Sequence, residues 1–182
     1  MASLLAPNVA DIDGIVLLSG PSVGLMSIMR EQREAMEAAN APEARATALA
    51  EFDAIVGHIR RRENIPADVR SKPGAAMFAQ MNDAGLAYMH DVDAADPAAA
   101  IAELPIPVLI VQGGRDESVR PHHADRLKSA RGARPTELGV YAELQHFYKS
   151  VPEGITGMAA FGLQGETDRR VTADVDRWVR GL

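Results

Sequence analysis

Three short apolar runs lie far apart along the chain, and amphipathic stretches fill the intervals between them. Ile12 to Ser19, Ile106 to Val111 and Leu138 to Leu144 each read as a strand. The second shows no alternation at all, which suits a strand buried on both faces of a parallel sheet. Leu25, Ile28, Met29, Gln32 and Met36 recur at helical spacing with charges opposite. Asn40-Ala-Pro-Glu43 is a helix start, with a capping Asn, an early Pro and a Glu in the first turn. That helix should turn Leu49, Phe52, Ile55, Val56 and Ile59 inward and close on Arg60-Arg61-Arg62, read as a solvated end whose cations suit the helix dipole. Residues 66 to 93 are less periodic. A short helix should follow Asp96-Pro97, another should run from Pro121 to Arg131, and a last one carries Val171, Val175, Trp178 and Val179 on one stripe. Residues 2 to 6 read as the end of a helix stopped at Pro7. The alternation implies an α/β fold: a short parallel sheet of about three strands, right-handed crossovers and flanking helices.

The chemistry gathers where two of these strands stop. In Pro105-Ile-Pro-Val-Leu-Ile-Val-Gln-Gly-Gly-Arg-Asp116, the glycine pair ends the strand and sets Asp116 on the turn. Open α/β sheets place ligands and reacting groups beyond the carboxyl ends of their strands. The next strand-like run ends in Gln145-His146. An Asp after one strand and a His after the next supplies the acid and base of a Ser…Asp…His triad in one of its known chain orders. Asp116 would fix the tautomer of His146, and His146 would take the nucleophile's proton. Taken by itself, Asp116 also fits a turn aspartate bonded to its own backbone.

These residues resemble the α/β-hydrolase family, in its esterase-like and lysophospholipase-like branch. The carriers are Asp96-Pro97, Pro107 to Asp116, Val119 and Leu144-Gln-His146, with Gly14-Ile-Val-Leu-Leu-Ser-Gly-Pro21 similar to the sixth strand of that fold and Glu31-Gln32 on the helix behind it. The resemblance covers nearly the whole chain but only the C-terminal half of the family fold. It implies one domain over 1–182, with residues 25–95 as the helical cap that this family inserts over its active site. Met77, Phe78, Met81, Tyr88 and Met89 of that block fit ordinary core packing better than an acyl pocket.

The nucleophile is the difficulty. Gly20-Pro-Ser22-Val-Gly24 satisfies G-x-S-x-G after a strand, which makes Ser22 a candidate. Pro21 stiffens the turn at the wrong place, bulky Leu25, Met26, Ile28 and Met29 follow, and little chain precedes it. The resemblance instead puts the elbow just before Met1, so the nucleophile, the oxyanion hole and the first five strands are expected to be missing from this chain.

Other candidate chemistry is sparse. His122 and His123 are neighbours at a helix start and read as a solvated helix end, and His58 and His90 show no partner pattern. With no Cys and no His-x-x-x-His, no metal site is expected, and the triad mechanism calls for no cofactor. The 182 residues, 47% hydrophobic and 24% charged, read as one globular domain. A net charge of −6 argues against nucleic acid as a partner, and no apolar run is long enough for a membrane span. The start of the chain has no signal-peptide pattern, and a cytoplasmic location is the default expectation. Two functions follow. One is a serine hydrolase portion acting on small-molecule esters or related acyl substrates. The alternative is a non-catalytic binding or oligomerisation module, self-associating through the sheet edge that the Ile12–Ser19 strand exposes.

Overall fold

The computed structural model describes residues 11–182, in two compact units: one holds the chain up to residue 23 together with residues 96–182, and the other holds residues 24–95. The expected helix end at residues 2 to 6 lies outside the described residues.

The first unit is built on a three-stranded parallel sheet, in the order β1 (Ile15–Leu18), β2 (Val108–Gly113), β3 (Thr136–Tyr141). Ile15 pairs with Val108 and Val108 with Thr136, and the register runs on to Leu18 against Val111 and Gly113 against Tyr141. β2 is central and buried at all six positions, which is why its apolar run does not alternate. Its side chains nonetheless divide by parity. Val108 and Ile110 join Ile15, Leu17 and Leu138 under helices α5 (Pro97–Glu103) and α6 (His122–Arg131), through Ile101, Ala124 and Leu127. Leu109 and Val111 face the other way, onto Val171, Val175 and Trp178 of α8 (Arg169–Val179), the helix after α7 (Gly157–Phe161). Each large apolar side chain buried in these layers contributes roughly 1.5–3 kcal/mol relative to exposure.

Asp96 starts α5 by accepting the N–H of Ala99, with Pro97 at the first helical position. At the other end of this layer Arg131 is fully buried. It donates to the carbonyls of Ile101, Leu104, Ile106 and Pro135, tying α5, α6 and the entries to β2 and β3 together.

The second unit is helical: α1 (Leu25–Met36), α2 (Pro42–Arg60), α3 (Ala67–Arg70), a 3₁₀ turn over Pro73–Phe78, and α4 (Asp83–Asp93). Its core joins Met26, Phe52, Ile55, Val56, Ile59, Phe78 and Met89. Asp93 accepts the N–H of Met26 at 2.7 Å and Arg60 Nε at 2.7 Å, satisfying an open backbone donor at the start of α1.

Several local expectations change. α1 buries Met26 and Ile28, while Met36 is 67% exposed. Asn40 does not cap α2: Ala41 holds the cap position without a side-chain bond, and Asn40 turns back to Glu37. The arginine run remains solvent-exposed, as read, and adds ion pairs to Asp93, Glu63 and Asp91 in turn. Phe78 and Met89 are core, whereas Met77 and Tyr88 are exposed. Val179 leaves the α8 stripe and is 52% exposed. No helix among the described residues is long and apolar enough to cross a membrane.

Candidate active site

The site forms where β2 and β3 end. Gly113 and Gly114 are there because the chain after β3 passes directly over them. A Cβ on Gly113 would stand 2.5 Å from the carbonyl oxygen of Leu144 and 2.7 Å from that of Gln145, and one on Gly114 would stand 2.7 Å from Cα of Ala142. No side chain fits against backbone at those distances. The N–H of Gly114 bonds to the carbonyl of Tyr141, and the N–H of Arg115 to that of Leu144. The glycine pair therefore lets the returning loop dock on the turn that carries Asp116.

β3 ends at Tyr141 rather than at Leu144. Residues 143–151 then double back as a tight loop, closed by the Leu144–Ser150 bridge and by the bonds Gln145 N to Lys149 O and Val151 N to Glu143 O. His146 sits at the head of this loop. Arg115 and Glu117 hold the next segment: Arg115 donates to the carbonyls of Val151, Pro152 and Ile155, and Glu117 accepts the N–H of Gly157.

Nδ1 of His146 lies 2.9 Å from Oδ2 of Asp116. A carboxylate beside it assigns the proton to Nδ1, which leaves Nε2 as the nitrogen able to receive one. The Asp116 side chain is fully buried, while that of His146 is 29% exposed. Asp116 divides its bonds between its two oxygens. Oδ1 accepts the N–H groups of Ser118 and Val119, both at 2.9 Å. Oδ2 accepts His146 and, at 3.2 Å, Nε2 of Gln112. The turn-aspartate role and the histidine-partner role are thus filled together. Four donors on one carboxylate are what a buried charge requires.

Beneath the loop, Tyr148 donates to the carbonyl of Val111 at 3.1 Å, and Ser19, just past β1, donates its hydroxyl to the Tyr148 oxygen at 2.9 Å. Both residues take left-handed backbone angles, φ 48° at Ser19 and 57° at Tyr148, a conformation that costs non-glycine residues free energy and concentrates at functional sites. Burial pushes the Tyr148 phenol up to about 12, and the charge of Asp116 adds to the shift.

Ser22 is held elsewhere. Its Oγ lies 2.8 Å from Nδ1 of His123, and its backbone N–H points at the same nitrogen at 3.3 Å. Nδ1 of His123 is then an acceptor, and the Ser22 hydroxyl donates to it. Ser22 is 4% exposed and His123 fully buried. This corrects the reading of His123 as part of a solvated helix end; the ring centroids of His122 and His123 lie 4.2 Å apart, tilted by 35°. In the helical unit His58 lies 3.3 Å from Glu63, and His90 Nδ1 lies 2.9 Å from Asp91.

Residue patterning did not single out Gln112, Tyr148 or Ser19. Gln112 had a visible signal, a lone polar side chain ending an apolar strand. The Ser19–Tyr148 contact joins residues 129 apart in sequence and left no local trace.

No protein-family model matches the chain. It is 26% identical over 185 residues to the esterase EstD of Thermotoga maritima, an alignment covering 98% of this chain and 40% of that protein. That relative is an esterase, consistent with the resemblance of this chain to the α/β-hydrolase family. The chain spans well under half the length of that curated relative. Among solved structures it is similar to a hydrolase from Pseudomonas aeruginosa, at 21% identity and a TM-score of 0.35, over 78% of this chain and 52% of that one. It is also similar to E-2-(acetamidomethylene)succinate hydrolase, at 16% identity and a TM-score of 0.38, over 80% of this chain and 54% of that one.

Proposed function

We propose that the chain is the C-terminal portion of a serine hydrolase acting on small-molecule carboxylic esters or related acyl substrates. The hydrogen bond between His146 Nδ1 and the buried Asp116 carboxylate carries the reading. The esterase relative supports the ester bond as the target. Asp116 holds the imidazole in the tautomer with Nε2 bare. Nε2 takes the proton of a serine hydroxyl as that oxygen attacks the ester carbonyl, and returns it to the leaving alcohol. A water molecule then repeats the sequence on the acyl-serine, with Nε2 again the base. On this reading the serine and the oxyanion-hole donors come from outside the described residues, since Ser22 Oγ is engaged by His123 rather than by His146. Residues 25–95 correspond to the helical cap insertion of the α/β-hydrolase family.

The experiment is a chimaera in which these 182 residues replace the matched stretch of the Thermotoga esterase. It should hydrolyse p-nitrophenyl acetate and lose turnover on His146→Ala. A folded, active chimaera indifferent to that substitution would rule the reading out.

A second reading, a non-catalytic module that self-associates, has its own support. β1 pairs with β2 on one side only among the described residues, and Leu18 is 54% exposed. An open strand edge of this kind recruits further strands.

A further inference from the structure

We propose that Gln112 is a positioning residue, which aims the Asp116 carboxylate at His146; this deepens the serine-hydrolase reading and rests on it. Gln112 is the penultimate residue of β2 and fully buried. Its Nε2 is surrounded by acceptors: the carbonyl of Val119 at 2.9 Å, that of Gly113 at 3.1 Å and Oδ2 of Asp116 at 3.2 Å. Three oxygens around that atom fix the amide orientation, since a flipped amide would press Oε1 against all of them.

The geometry makes Gln112 a strut across the acid turn. Nε2 spans from the start of the turn, at Gly113, to its end, at Val119, and reaches the carboxylate inside it. Ser118 and Val119 pin Oδ1. The Gln112 amide meets Oδ2, the oxygen that receives His146. With both oxygens engaged, the carboxylate cannot rotate about its Cβ–Cγ bond without breaking bonds at each end, so the imidazole finds its acceptor in a fixed place.

A second observation sets Gln112 apart from an ordinary core residue. Its Oε1 is buried and meets no donor among the described residues. A buried amide with an unsatisfied oxygen is a stability loss that an apolar side chain would avoid. An apolar residue would extend the run Val108 to Val111 and satisfy packing. The amide makes physical sense here through what its nitrogen holds.

The test reads the tautomer of His146 by ¹⁵N NMR of its ring nitrogens at a pH where the ring is neutral. In the wild-type chain the Nδ1–H form should dominate. Gln112→Met, near-isosteric and without donors, should cut the ratio of the Nδ1–H to the Nε2–H form by about tenfold, because a charge-assisted bond loses its fixed acceptor. Gln112→Glu should do at least as much, by setting a second carboxyl against Asp116. Ile110→Val, a core truncation one step back on β2, should leave the ratio unchanged. An unchanged ratio in a folded Gln112→Met chain would overturn the proposal. Loss of the Nδ1–H form in the wild type itself would instead remove the triad reading beneath it. Should Gln112→Met fail to fold, Asp116→Asn decides through the Gln112 side-chain amide protons: a shift in their resonances on loss of the carboxylate charge supports the strut, and unmoved resonances overturn it.

Discussion

Asp116 and His146, 30 residues apart in sequence, meet at 2.9 Å because two glycines allow one loop to lie flat on another. The close approach is backbone on backbone: Gly113 and Gly114 below, the carbonyls of Ala142, Leu144 and Gln145 above. The catalytic pairing proposed here thus depends on two residues that bear no functional group.

Gly113→Ala tests that dependence. Its Cβ would fall 2.5 Å from a carbonyl oxygen, with no flexible side chain to yield. The loop must lift, and we expect a loss of about 1–3 kcal/mol in urea unfolding, the usual cost of overpacking. The His146 Nδ1 proton should exchange with water faster in the same variant. Unaltered stability would mean that the loop does not lie where it is described.

Alkaline pH should expose the buried phenol of Tyr148. Its folded-state value, about 12, is raised above the ordinary 10. A raised value means the folded chain holds its proton more tightly than the unfolded chain does. The associated stability is complete below pH 10 and disappears as pH climbs from about 10 to 12, amounting to roughly 2–3 kcal/mol. Tyr141 is raised to about 12 as well, by burial first and then by its bond to Asp174. Urea unfolding at pH 8 and at pH 11.5 should therefore show a smaller alkaline loss in Tyr148→Phe than in the wild type. An equal loss in both would remove Tyr148 from the account.

Much of the candidate site's geometry was legible in the sequence, and what was missed has physical causes. The β2 run, its glycine stop and Asp116 were plain, because a strand covered on both faces leaves no room for polar residues until it ends. His146 was found as a residue past a strand, although β3 stops at Tyr141 and a tight loop carries the imidazole the rest of the way. The buried state of His123 was hidden, since its partner Ser22 lies 101 residues away. Helix faces were misread where a helix runs out past its neighbours. Met36 at the end of α1 and Val179 at the end of α8 continue the apolar period but are largely exposed.

Ser22 should be inert to serine-directed reagents. Its hydroxyl donates to a fully buried histidine and is itself nearly buried. A fluorophosphonate probe followed by peptide mass spectrometry should find no stoichiometric adduct on Ser22. Full labelling there would make Ser22 and His123 a working pair and the chain a self-contained hydrolase.

The side of β1 left unpaired among the described residues should show in solution. Light scattering at micromolar concentration should give a dimer or larger species, and Leu18→Lys should shift it towards monomer by placing a charge on the exposed edge strand. A clean wild-type monomer would count against association through β1.

The most direct test of the central claim is a double-mutant cycle on ester hydrolysis by the Thermotoga chimaera. Residues that act as one unit do not contribute independently, so the second loss adds little to the first. His146→Ala and Asp116→Asn should each lower kcat by on the order of 10³–10⁴. The double variant should be no slower than His146→Ala by itself. Losses that multiply, or a kcat that neither substitution moves, would contradict the assignment of Asp116 and His146 as acid and base of one triad.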